Sequence, residues 1–372
     1  MNALDARRRV AIVLPPYEGF APSSAGAIGL LVHRLSAWPG AFDPVVIGPE
    51  QADLFDDIVY RPSVMPWFPP HPMRRYEAGV ARAIKAVRPA LIEVHNRPDI
   101  ALWLQRRFRD IPVVAVMHND RQQSVSERSK MLAQLARVVA VSRFVRDRLL
   151  EGLAMPLRPP SVLENCLDLR QIPPSPFPRE RTILFAGRVV ADKGADAFVA
   201  ACARALPALP GWRGELIGAD RFGPRAGTTA FLRALQLQAD AAGIATPGYL
   251  PHEQVLAAMA RAAIVVIPSR WPEPFGLTAL EALACGAALI TSGRGGLREV
   301  VGDAAALGDP DDVAGLAGTI VALAEDPGRQ AALGTAGRSR AAMFDVAQAA
   351  VALDALRTDV LTAWSSAVSH PI

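Results

Sequence analysis

Glu273 and Glu281 lie in the segment Pro268-Ser-Arg-Trp-Pro-Glu-Pro-Phe-Gly-Leu-Thr-Ala-Leu-Glu-Ala-Leu-Ala-Cys-Gly286, which follows a strand-like apolar run and opens a stretch of helical spacing. A carboxylate accepts two hydrogen bonds at once, so each glutamate suits the vicinal diol of a sugar or a ribose. Pro272 and Pro274 force an extended loop, and Gly276 lets the backbone approach a ligand closely. The N–H groups of Phe275, Gly276, Leu277 and Thr278 then stand at a helix N-terminus, where an anion such as a phosphate is favoured. Upstream, Phe185-Ala-Gly-Arg188 is followed by Lys193-Gly194. Arg188 offers a planar fork of donors and Lys193 a mobile ammonium, a pair suited to a diphosphate. Lys85, Lys130 and Lys193 are the only lysines in an arginine-rich chain, so a lysine inside a motif stands out.

Positioning these groups needs strand–helix turns, and the chain is patterned to supply them. Short apolar runs alternate with helix-period stretches, the pattern of parallel sheets with crossover helices. Val10–Leu14, Val45–Ile47, Leu91–Val94, Val113–Met117 and Val138–Val141 read as strands covered on both faces. Ala78–Arg88 and Ile100–Phe108 read as helices. Pro173, Pro174, Pro176 and Pro178 read as a stiff linker over residues 173–180. After it the pattern restarts, with strands at Ile183–Ala186, Glu215–Ile217, Ile264–Ile267 and Ala287–Ile290. Ala195–Ala205, Thr229–Ala242, Glu253–Arg261 and Leu277–Ala284 are the helices between them. Val346–Val368 reads as a terminal helix. The expectation is two doubly wound α/β domains, 1–172 and 181–344, facing across a cleft, with ligands at the carboxyl ends of the strands.

Composition narrows the classes. At 372 residues, 51% hydrophobic and 20% charged, the chain is globular and long enough for two cores. No apolar run reaches the roughly 18 uncharged residues that span a bilayer. The run Val10–Leu14 behind the basic N-terminus is too short for a signal segment. Cys166, Cys202 and Cys285 are widely spaced, which argues for buried small hydrophobes, a cytoplasmic setting and no disulfide framework. Met1 to Ser175 hold 23 Lys+Arg against 17 Asp+Glu, and the remainder 17 against 19, so the basic excess lies in the front half. Asp309-Pro-Asp311 has the spacing of a metal-binding pair, but Asp309 before Pro310 reads as a helix N-cap. No metal site and no cofactor beyond a nucleotide-linked co-substrate is expected, and no nucleic-acid partner.

Taken together, these motifs resemble the family 4 glycosyltransferases of the GT-B architecture. The signature of that family, two glutamates with seven residues between, is kept at Glu273, Phe275, Gly276, Leu277, Glu281, Ala282, Ala284 and Gly286. The stretch Gly293-Arg-Gly-Gly-Leu-Arg-Glu-Val-Val301 and the Gly-Arg…Lys-Gly element at Gly187–Gly194 match as well. The resemblance implies a hexosyltransferase that retains the anomeric configuration of a UDP- or GDP-linked sugar and uses no metal. By position, Glu273 would hold the transferred sugar and Glu281 the ribose diol. Arg188 and Lys193 would hold the diphosphate, and Gly248-Tyr-Leu-Pro-His252, with Leu250, would meet the nucleobase through its backbone. The loop Pro16–Gly29 would face donor and acceptor; the family's Gly-Gly pair is Ala25-Gly26 here, so only Gly26 is kept. His118, in Val116-Met-His-Asn-Asp120, would line the sugar site, and His95 ends the neighbouring strand. Asn165 and Asp168 would brace the hinge, and the terminal helix would pack back on the first domain.

The acceptor is suggested only by surface chemistry. Trp67-Phe-Pro-Pro-His-Pro-Met-Arg-Arg-Tyr76 mixes aromatic and basic residues, and Arg106, Arg107 and Arg109 follow an apolar helix. They point to an acceptor at a membrane surface, such as a glycolipid or a lipopolysaccharide core, with a polysaccharide as the soluble counterpart. The competing readings are a sugar-nucleotide epimerase on the same fold and a non-catalytic nucleotide-sugar-binding protein.

Overall fold

A computed structural model describes residues 8–22, 24–67, 70–119, 123–154, 158–220 and 229–369. The N-terminus before Arg8, Phe68 and Pro69 of the aromatic segment, and Asp120 beside His118 lie outside the described residues. The chain forms two compact units, Met1–Cys166 with Val346–Ile372, and Leu167–Asp345.

The first unit is built on β1 (Arg8–Val13), β2 (Phe42–Gly48), β3 (Tyr60–Pro62), β4 (Leu91–His95), β5 (Val113–Met117), β6 (Arg137–Ala140) and β7 (Ser161–Val162). They run parallel in the order β3-β2-β1-β4-β5-β6-β7. The second unit holds β8 (Glu180–Ala186), β9 (Arg213–Ile217), β10 (Ile244–Gly248), β11 (Ala262–Ile267), β12 (Ala288–Thr291) and β13 (Ala306–Leu307). They too are parallel, in the order β10-β9-β8-β11-β12-β13. Each sheet thus follows the doubly wound order 3-2-1-4-5-6 from its own first strand. Strand addition reverses direction between β1 and β4, and again between β8 and β11. At those two switch points the helices leave on opposite faces of the sheet, and the loops leave room for a ligand.

The central strands are apolar runs because helices cover both their faces: every residue of β4, β5 and β11 is buried. Glu93 and His95 in β4 are polar exceptions, and Glu93 has its own partner. The Glu93 carboxylate meets the guanidinium of Arg357, from the terminal helix Val346–Ser369, at 2.8 and 2.9 Å. That helix also sends Val360 and Leu361 into the core of the first sheet. The second core gathers Ile183, Phe185 and Phe198 with Val266, Ile290 and Leu316. The three cysteines are buried and free, and burial pushes the thiols of Cys202 and Cys285 up, Cys285 to about 12.

Three expectations are corrected. The proline segment at 173–180 is not a linker between the units. It lies inside the second, where Ser175 Oγ donates to the carbonyl of Cys285 at 2.8 Å and Arg179 donates to that of Ala260 at 2.7 Å. Prolines stiffen a segment, but contacts made elsewhere in the chain decide what it packs on. Asp309 does not cap a helix either. The helix is Val313–Ala324 and its N-cap is Asp312, whose Oδ1 accepts from the N–H of Gly315 at 2.9 Å. Asp309 instead accepts from the N–H of Asp311 in a turn. Lastly, Tyr76 is not a surface aromatic. It is 2% exposed and donates its hydroxyl to the carbonyl of Leu14, whereas Trp67 projects at 88% exposure.

Candidate functional site

The second switch point brings together the loops that follow β8 and β11. After β8, Gly187 and Gly218 pass so closely that a Cβ on Gly218 would lie 1.8 Å from the carbonyl oxygen of Gly187. The chain then makes the short 3-10 turn Ala191–Lys193 and enters the helix Ala195–Ala205 through Gly194, at φ 71°. A Cβ on Gly194 would strike the carbonyl oxygen of Pro268 at 1.9 Å. Glycine is therefore required here for both space and handedness, and the contact presses the Lys193 turn against the loop after β11.

In that loop Glu273 is 8% exposed. Its Oε1 accepts from Lys193 Nζ at 2.5 Å and from Ser269 Oγ at 2.8 Å. Its own carbonyl accepts from the N–H of Gly296 at 2.6 Å, and Glu273 bridges to Gly295. A Cβ on Gly295 would reach that carbonyl oxygen at 2.5 Å, so the glycines of Gly293–Gly296 give the glutamate its backbone seat. Gly276, at φ 108°, then starts the helix Leu277–Ala284. Ala279 and Leu280 donate to the carbonyl of Gly276, which leaves the N–H groups of Leu277 and Thr278 ahead of the helical ladder. Phe275 contributes only backbone. Its ring is 3% exposed and packs edge-on against Phe344, 5.7 Å between centroids.

Glu281, also 8% exposed, projects from the second turn of that helix. Its Oε1 lies 2.8 Å from Nε2 of His252, the first residue of the helix His252–Arg261. Leu250 is half-buried in the turn between β10 and that helix, where Gly248, at φ 81°, accepts from the N–H of Gly218 at 2.9 Å. Arg188 is exposed, and its guanidinium has no hydrogen bond or ion pair among the described residues. The site therefore offers a free cation, a second cation resting on a carboxylate, a helix N-terminus and two oriented carboxylates.

Sequence reasoning missed what holds this arrangement. Arg270 donates to the carbonyl of Ala191 at 3.0 Å, to Asp196 at 2.7 Å and to Asp311 at 2.9 Å. Arg294 reaches Asp309 at 2.9 Å and Asp311 at 2.7 Å. Asp309 and Asp311 are thus acceptors for two arginines that tie the Lys193 turn to the Glu273 loop. These hydrogen bonds, first from Arg294 and then from Arg270, hold the Asp311 carboxyl below its ordinary range. Ser269 and His252 were the other partners missed.

In the first unit, Gly26 precedes the helix Ala27–Ala37. The carboxylate of Glu18 accepts from the N–H of Gly29 at 2.9 Å, and a Cβ on Gly26 would lie 2.6 Å from its Oε1. What passes close to Gly26 is Glu18. Burial raises the proton affinity of that carboxyl, and the N–H groups of Gly29 and Gly26 oppose the shift. At the carboxyl ends of β4 and β5, His95 Nδ1 and His118 Nε2 are 2.9 Å apart. Burial drives both imidazoles down, His95 to about 3 with the charge of Arg357 adding to it, and His118 with His95 adding to it. These shifts favour the neutral ring, the form in which His118 can exchange a hydrogen bond with a hydroxyl. Asp168 holds Arg170 at 2.8 Å and caps the short turn Leu169–Gln171, while Asn165 is buried.

Both halves of the chain resemble known proteins. Residues 170–340 match the family described as Glycosyl transferases group 1, and residues 30–171 match Glycosyltransferase Family 4. A D-inositol 3-phosphate glycosyltransferase of Xylanimonas cellulosilytica is 30% identical over 289 residues, covering 68% of this chain and 67% of that protein. A glycogen synthase of Mycobacterium tuberculosis is 30% identical over 281 residues; the match takes in 68% of this chain but only 64% of the synthase. Among solved structures, Anabaena Alr3699/HepE in complex with UDP and glucose superposes with a TM-score of 0.76 at 18% identity, over 94% of this chain and 99% of that one. A structure at that identity speaks for the fold alone. With both halves matched and the two-glutamate loop seated at the switch point of the second sheet, the chain belongs to the family 4 glycosyltransferases.

Proposed function

We propose that this protein transfers a sugar from a nucleotide-linked donor to an acceptor hydroxyl, with retention of anomeric configuration and without a metal ion. The observation that supports this most is the set at the β8/β11 switch point: Arg188 and Lys193, the N–H groups of Leu277 and Thr278, and the carboxylates of Glu273 and Glu281. Phosphate oxygens suit the cations and the helix N-terminus. Glu281 takes the ribose, and Glu273 the transferred sugar. The bond from the anomeric carbon to the diphosphate oxygen breaks as the acceptor oxygen attacks from the same face. The acceptor's proton passes to the departing diphosphate, so no separate strong base is needed. His118 serves as a neutral hydrogen-bonding group for a sugar hydroxyl, with Gly26 and its Glu18-anchored turn on the acceptor side. HepE was captured with UDP and with UDP-glucose, so a UDP-linked sugar is the first donor to test, with GDP-linked sugars second.

A panel of nucleotide-sugars, scored for thermal stabilisation and then for turnover with lipid and soluble acceptors, tests the activity itself. Glycolipid, lipopolysaccharide core and polysaccharide are the acceptor classes to include. Among the described residues no helix is long and apolar enough to cross a membrane. Peripheral contact remains part of the proposal, through exposed Val64, Met65 and Trp67 and the basic Arg106, Arg107 and Arg109.

Arg188→Ala is expected to weaken nucleoside diphosphate binding roughly tenfold or more, because a charge-assisted hydrogen bond contributes about 1.5–3 kcal/mol. Lys193→Ala should act likewise, and it also strands the Glu273 carboxylate with Ser269 alone of its two described partners. Calorimetry with UDP and GDP checks both; unchanged affinities would sink the assignment. Activity should also persist in EDTA, since protein groups neutralise the leaving diphosphate. Complete loss, restored by manganese or magnesium, would overturn that part of the mechanism.

A further inference from the structure

His252 serves no role in the reaction as proposed, yet the fold holds it against one of the two motif carboxylates. Gly248 turns the chain out of β10, and Pro251, at φ −55°, sets the entry of the helix His252–Arg261. That helix lies beside Leu277–Ala284, where Cys285 Sγ sits 3.6 Å from the carbonyl of Leu256. His252 is consequently 2.8 Å from Glu281 Oε1, with its side chain about one-third exposed.

A carboxylate can only accept, so Nε2 of His252 carries the hydrogen of this bond. The bond occupies Oε1 and picks one setting of a terminal torsion that is otherwise broad and two-fold. Oε2 then points in a fixed direction and keeps its lone pairs for hydroxyl donors. We propose that His252 is a positioning residue for nucleotide recognition: by holding Oε1 of Glu281 it fixes the carboxylate that reads the ribose diol, and so sets the preference for ribose over a sugar lacking those hydroxyls. The proposal rests on the assignment of Glu281 to the ribose.

The test is a set of calorimetric affinities for UDP and GDP, each beside its 2′,3′-dideoxy counterpart, in the full chain. The ratio of ribo to dideoxy affinity is the readout, because loss of fold would lower both members of a pair together. His252→Ala should reduce that ratio on the order of tenfold, as expected for loss of one charge-assisted hydrogen bond, and leave dideoxy affinity unchanged. His252→Gln can place an amide N–H near the position of Nε2 and should keep most of the ratio. Glu281→Ala should abolish it. If Glu281→Ala abolishes the ratio while His252→Ala leaves it intact, the role of His252 is wrong and the ribose assignment stands. If His252→Ala weakens ribo and dideoxy forms equally, or His252→Gln behaves like His252→Ala, His252 is merely structural and the proposal is overturned. If Glu281→Ala leaves the ratio intact, or neither diphosphate binds, the reading of Glu281 falls and this proposal with it.

Discussion

Glu273→Gln is expected to lower kcat by roughly 10²–10³-fold, the scale of one preorganised electrostatic contact, while nucleoside diphosphate affinity is retained. The carboxylate is 8% exposed, its backbone is seated by Gly295 and Gly296, and its Oε1 is fixed by Lys193 and Ser269. A group held this firmly does not reorganise when the transferred sugar gains positive charge, which is when a fixed negative charge acts most. Glutamine keeps the shape and removes that charge. It also releases Lys193, whose ammonium at 2.5 Å is the one that an arriving diphosphate would otherwise have to draw from Glu273. Diphosphate binding therefore has no reason to fall. Glu281→Gln provides the contrast: the ribose does not change during the reaction, so its loss should raise the donor KM and weaken the free diphosphate, with kcat less affected. Measuring kcat, KM and diphosphate Kd for both variants decides the matter. Near-normal kcat in Glu273→Gln, or a loss of diphosphate affinity matching that of Glu281→Gln, would show that the two carboxylates do not divide the work this way.

How much of this was legible follows from which interactions are local. The buried central strands, β4, β5, β8 and β11 among them, appear in the sequence as continuous apolar runs because helices cover both faces. The missed strands β3, β7, β10 and β13 are the outermost strands of their sheets. All are part-exposed; β3, β7 and β13 are only two or three residues long, β3 ends on Pro62 and β10 carries Pro247, and an edge strand tolerates proline because one row of its backbone groups needs no partner. At the site, Glu273, Glu281, Arg188 and Lys193 could be named because a motif fixes their spacing. Their partners could not. His252 and Arg294 both stand inside stretches that the sequence reading singled out. That His252 meets Glu281, and that Arg294 meets Asp309 and Asp311, follows from how helices and loops distant along the chain pack together. The same limit explains Asp309-Pro-Asp311, whose local pattern suits a helix start while Asp312 makes the cap and the first two aspartates face arginines.

Arg357→Ala is expected to destabilise the first unit by about 3–5 kcal/mol, the cost of leaving a buried charge without its partner. Glu93 is 2% exposed at the centre of β4, and Arg357 is 5% exposed on a helix from the far end of the chain. Their two hydrogen bonds, at 2.8 and 2.9 Å, form a bidentate pair. Truncating the arginine strands the carboxylate between strands that exclude water. For a unit of this size the loss corresponds to a fall in its melting temperature of roughly 6–20 °C. Glu93→Gln should cost less: Asp354 stays 3.5 Å from Arg357 and the amide oxygen can still accept, so no full charge is left unpaired. Replacing both members by leucine should recover much of the loss, since a buried pair exchanged for apolar side chains is often near neutral. Denaturant unfolding of the three variants separates these cases. Arg357→Ala within about 1 kcal/mol of the unsubstituted protein, or the double variant worse than the single, would mean that the pair is hydrated and that apolar packing through Val360 and Leu361 alone keeps the terminal helix on the first sheet.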